Sequence, residues 1–81
     1  MPIDREEAVR RADKLLRQGR LDAAIAEYEA LAAEYRTDAG VANTLGDLYV
    51  RAGRVDRAVP EFVRIAQHFL REGFYAKASA L

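Results

Sequence analysis

Gly19-Arg20-Leu21-Asp22-Ala23-Ala24 recurs 34 residues later as Gly53-Arg54-Val55-Asp56-Arg57-Ala58. Each copy pairs a glycine, able to take the left-handed backbone that ends a helix, with an aspartate suited to the start of the next. The surroundings agree with that reading. Before Gly19, Ala8, Ala12, Leu15 and Leu16 share one stripe of a helix, opposite Arg10, Arg11, Asp13, Lys14 and Arg17. Asp4, followed three residues later by Glu7, makes an acidic capping box at its start. After Asp22, the cap expected for a second helix, Ile25, Tyr28, Leu31, Ala32 and Tyr35 recur at spacings of three and four.

Arg36-Thr37-Asp38 interrupts that period, and Thr37 or Asp38 is expected to cap a third helix. Its inward set is Val41, Ala42, Leu45, Leu48 and Tyr49, and Gly53 ends it. Asp56 then opens a fourth helix with Val59, Phe62, Val63, Ile65, Ala66 and Phe69 as its apolar set. Pro60 lacks an N–H and crowds the Asp56 carbonyl, so it predicts a disturbed first turn without a break. Gly73 is expected to end the fourth helix, leaving a partial fifth over 74–81 that stops mid-element.

Superposing 8–36 on 42–70 gives identities that include Ala8/Ala42, Asp13/Asp47, Arg17/Arg51, Glu27/Glu61 and Ala32/Ala66, beside the turn residues. Core pairs such as Tyr28/Phe62, Leu31/Ile65 and Tyr35/Phe69 are conservative. A helix–turn–helix period of 34 residues with small side chains at close contacts resembles the tetratricopeptide repeat. Leu45-Gly46, Tyr49, Gly53, Ala58 and Phe62 carry the likeness in the second unit. The first unit departs from it, with Ala12 for the glycine, Leu15 for the tyrosine and Arg11 where Leu45 stands. A shift of 20 residues also aligns Leu45/Ile65, Gly46/Ala66, Tyr49/Phe69 and Gly53/Gly73, so the fourth helix reads both as the second of one repeat and the first of the next.

The resemblance implies an all-α fold: antiparallel helical hairpins stacked as a right-handed solenoid within a single domain, 1–81. Repeat one covers about 5–38, repeat two about 39–72, and the partial helix 74–81 follows. It further implies the N-terminal repeat segment of a bacterial-type protein of this family, the stub being either cut from a longer repeat protein or completed by another molecule. About three repeats are needed for stability, and this chain has two and a fraction.

Composition narrows the function. Thirteen basic and thirteen acidic side chains leave no net charge, so no basic field draws nucleic acid or anionic lipid. A hydrophobic fraction of 51% excludes disorder, and charged residues at 32% without a long apolar run exclude a membrane span. There is no cysteine, hence no disulfide, thiol nucleophile or thiolate metal site, which with the acidic N-terminus points to the cytoplasm. His68 is the only histidine and lacks companion ligands for a metal. Asp13 and Asp47 occupy equivalent repeat positions and read as surface residues, in preference to a catalytic carboxylate pair. No phosphate loop or Ser/His/Asp order is present, so neither an enzyme nor a cofactor is expected.

A protein or peptide partner is expected instead. By the resemblance, first helices line a concave groove formed by Glu6, Val9, Arg10, Asp13 and Leu16 with Asn43, Asp47, Val50 and Arg51. Val9 and Asp13 stand where members that clamp a terminal carboxylate present Lys and Asn. The alternative is a self-associating module, a homodimer built on Phe69, Phe74, Tyr75 and Leu81, whose open C-terminal end another chain completes.

Overall fold

The computed structural model describes residues 2–80, and the side chains of residues 2–74. Four helices follow in order: α1 (Arg5–Arg17), α2 (Leu21–Glu34), α3 (Ala39–Arg51) and α4 (Val55–Ala80), with no strand among the described residues. Each helix packs on its neighbours in the chain; α1 and α3 have no close backbone approach. This is the all-α helical-repeat arrangement expected from the 34-residue period.

The two Gly-Arg turns close in the same way. Gly19 and Gly53 have φ of 72° and 75°. The Gly19 N–H donates to the Leu16 carbonyl and Arg20 N–H to Leu15; Gly53 and Arg54 repeat both bonds onto Val50 and Tyr49. This pairing satisfies carbonyls that a helix end would otherwise leave bare. Asp4 caps α1 by accepting from Glu7 N–H at 3.2 Å, and Asp38 caps α3 by accepting from Val41 N–H at 3.1 Å.

Asp22 and Asp56 are not caps. The Schellman turn already places Arg20 at the cap position of α2, so the helix starts at Leu21 and Asp22 falls inside the first turn. There it favours the positive helix end and meets Arg54 at 3.2 Å. Asp56 likewise lies in the first turn of α4.

Gly73 does not stop α4 either, and the partial helix expected over 74–81 does not stand apart over its described part: α4 runs unbroken to Ala80, and Leu81 lies outside the described residues. Unlike Gly19 and Gly53, Gly73 has no positive φ. No proline or capping residue follows it, and the apolar spacing continues through it from Leu70 to Phe74. Pro60 also lies within the continuous helix. It sits near the helix start, where Arg54 accepts from both Arg57 and Ala58 N–H at 3.1 Å.

The core lies between α1, α2 and α3, centred on Ile25, Leu31 and Val41, each fully buried. Among described residues α4 adds only Ala58 to the buried set, with Phe62 packed against it. Gly46 provides the close approach: a Cβ there would lie 2.7 Å from the Phe62 ring. The apolar set of α4 is therefore only partly covered by the domain. Val59, Val63, Ala66 and Phe69 are exposed, and only Phe62 and Ile65 are half-buried. The helix carries two apolar stripes, and α3 covers one.

Candidate protein-interaction face

The expected groove residues lie on α1 and α3 at helical spacings, 6, 9, 13 and 16 on one and 43, 47 and 50 on the other. Glu6, Arg10, Asp13, Asn43, Asp47, Val50 and Arg51 are exposed. Val9 and Leu16 are half-buried and turn toward the core. They contribute edges, with their apolar bodies already committed to packing.

The two helix faces are joined by side chains. Tyr28 of α2 is buried and feels both Asp13 on α1 and Thr44 on α3. Burial raises its pKa first, Asp13 adds to the rise, and Thr44 opposes it. Arg5 of α1 binds the Asp38 cap of α3 through Nε at 2.5 Å. The Arg5 hydrogen bond is the main cause holding the Asp38 carboxyl below its ordinary value, against a smaller desolvation effect. Tyr35 donates to the Ile3 carbonyl at 2.7 Å and pins the segment before α1.

Charges elsewhere are used internally. Arg11 pairs with Glu27, Arg54 with Asp22 and Arg64 with Glu61. By contrast, Arg10, Asp13, Asn43, Asp47 and Arg51 make no side-chain hydrogen bond or ion pair among the described residues.

On the opposite side, α2, α3 and α4 border a cleft where the buried Tyr49 meets the exposed Glu29. Tyr49 donates to Glu29 Oε2 at 2.6 Å. Burial, then the Glu29 hydrogen bond and charge, push the Tyr49 hydroxyl from 10.0 up to about 12. Its neutral form is thus favoured in the folded chain. Stability from this group is complete below pH about 10 and is lost as pH rises toward about 12. Chemical denaturation across that window should show a shallower loss in Tyr49→Phe than in the parent; equal slopes would remove this pair as the cause.

Sequence reasoning missed a neighbouring cleft of about 210 Å³ where the N-terminal end of α3 faces α4. Arg36, Arg64, His68 and Arg71 rim it, with Ala42 and Ile65 as apolar lining. The spacing of 64, 68 and 71 on one helix face was visible in the sequence, but not their meeting with Arg36. Of the expected self-association residues, Phe69 and Phe74 are exposed, while the side chain of Tyr75 and all of Leu81 lie outside the described residues. Among described residues no three His, Asp or Glu side chains converge to hold a metal, and no helix is long and apolar enough to cross a membrane.

No curated protein and no solved structure matches the chain. A family model for the tetratricopeptide repeat matches residues 15–81, from the last turn of α1 through all of α2, α3 and α4. The unmatched part is most of α1, where Arg11 and Ala12 depart from the second unit. With the repeated turns, the Gly46 contact and this match over most of its length, the chain belongs to the tetratricopeptide repeat family.

Proposed function

We propose that this domain is a protein-interaction module that holds a partner peptide or helix against the outward faces of α1 and α3. Repeats of this family are generally protein–protein interaction modules on a scaffold that is typically not enzymatic. The observation that carries the reading to this face is the set of polar side chains without an internal partner: Arg10, Asp13, Asn43, Asp47 and Arg51. Exposed groups of this kind lose little on folding and keep their hydrogen-bonding capacity for another molecule.

Charge sets the kind of partner. Arg10 and Asp13 lie one turn apart on α1, and Asp47 and Arg51 one turn apart on α3, so both signs alternate along the face. That pattern suits a segment of mixed charge with an apolar residue over Val50, read by the helix-in-groove or extended mode. A terminal carboxylate is a poor match, because Asp13 would repel it.

Peptides selected from a displayed random library on the parent domain provide the test. Alanine at Arg10, Asn43 and Arg51 together should weaken the selected peptides about a hundredfold or more, since losing hydrogen bonds to charged groups costs roughly 1.5–3 kcal/mol each. The melting temperature should stay nearly constant, because such surface changes fall within about 0.5 kcal/mol. Undiminished binding would move the site off the first helices.

A further inference from the structure

The exposed side of α4 is an ordered stripe. Val55, Val59, Val63, Ala66, Leu70 and Phe74 follow at spacings of 4, 4, 3, 4 and 4, which place them along one helix face. Val55 is 57% exposed, Val59 52%, Val63 47% and Leu70 73%. The residues that approach α2 across the cleft, Glu61 and Arg64, lie on the other side of the helix. The stripe therefore borders the Phe62 contact with α3 along one edge and is otherwise turned to the outside.

Its spacing reads the same in both directions. Two copies of α4 laid antiparallel about a two-fold between residues 64 and 65 set Val55 opposite Phe74, Val59 opposite Leu70 and Val63 opposite Ala66. Large faces small or medium at each level, as interdigitated helix packing requires. At 1.5 Å per residue the seam extends roughly 28 Å.

Charge selects this direction of pairing. Asp56 and Arg71 lie on the same flank of the stripe, near its two ends, and neither has an ion pair among the described residues. A two-fold perpendicular to the helices keeps that flank on one side of both copies. Asp56 of one then comes within two residues, about 3 Å along the axis, of Arg71 of the other, and the pair occurs twice. A parallel pairing would instead put these flanks on opposite sides of the seam and bring no Asp56 to an Arg71.

We infer that a second copy of this chain covers the α4 stripe, forming a two-fold antiparallel dimer centred between Val63 and Ala66 and bordered by two Asp56–Arg71 pairs. The dimer leaves the α1 and α3 faces open, so it stands or falls separately from peptide binding. Val63 is about half exposed, so a glutamate there is expected to leave the fold intact.

Sedimentation equilibrium of the 81-residue chain from micromolar to millimolar concentration is the first measurement. The parent should dimerise, and Val63→Glu should remain monomeric with unchanged helicity. Asp56→Arg and Arg71→Asp should each weaken the dimer several-fold by facing like charges, while Asp56→Arg/Arg71→Asp together restores it. Spin labels placed singly on the cysteine-free chain should give inter-copy distances that lengthen from position 63 to 59 to 55. A monomeric parent would overturn the inference and leave the stripe to a following segment of a longer chain. A charge swap that fails to restore the dimer, or equal distances at the three positions, would overturn the antiparallel register.

Discussion

Gly46→Leu is expected to lower the melting temperature by about 4–24 °C. A single Cβ at this position would already meet two Phe62 ring carbons at 2.7 Å, closer than side chains tolerate. A leucine adds three more carbons beyond it. The ring can yield only by leaving its place against the core or by pushing α4 away from α3. Overpacking of this kind costs about 1–3 kcal/mol, and in a domain of this size each kcal/mol moves the midpoint by about 4–8 °C. Shortening the obstacle should relieve the clash, so Gly46→Leu/Phe62→Ala should be less than additive. Thermal unfolding of the four chains of that cycle decides it. A Gly46→Leu midpoint within a degree or two of the parent would mean that Gly46 does not set the α3–α4 approach.

Leu31→Ala should cost more. Leu31 is 1% exposed, on the helix that packs against both α1 and α3. Leucine-to-alanine changes in such settings cost about 2–5 kcal/mol through lost burial and the residual cavity. A domain of this length has only about 4–12 kcal/mol in total. We expect Leu31→Ala to be partly unfolded near 37 °C, with reduced helical ellipticity and a broadened urea transition. Leu31→Met, which keeps the volume, should stay within about 1.5 kcal/mol of the parent. A Leu31→Ala protein that unfolds with the parent's midpoint would show that the three-helix core does not hold the stack together.

The repeated turn was the most legible part of the sequence, because glycine at positive φ and the two carbonyls it satisfies are local matters. The stripes of α2 and α3 were legible for a different reason: both helices have neighbours on two sides, so almost every apolar position is used. Asp38 was readable as a cap, but Asp22 and Asp56 were not readable as first-turn residues. An aspartate is favoured both at a cap and in the turn after it, and only the backbone of the preceding glycine turn decides between them. Gly73 misled because a glycine can end a helix without having to do so. The burial of α4 was hardest. Two apolar stripes on one helix say that two surfaces want covering, and the sequence of the helix does not say which one the chain itself covers. For the interaction face, exposure of the polar positions was legible from helical spacing, whereas the turning of Val9 and Leu16 toward the core depended on where Tyr28 and α2 lie.

The helices pack as a queue, each on the one before and the one after. Beyond that packing, the widest ties join Arg5 to Asp38, Ile3 to Tyr35 and Asp22 to Arg54, pairs 33, 32 and 32 residues apart, about one repeat in each case. Among the described residues no helix–helix packing joins the first helix to the last, so the entropy of closing long loops is largely avoided and the topology belongs with those that assemble quickly. The same connectivity divides the native state into zones of unequal permanence. α4 can lift from α3 at its far end while α1, α2 and the start of α3 stay in place, and the molecule can thus sample open forms at one end without a global crossing of its unfolding barrier.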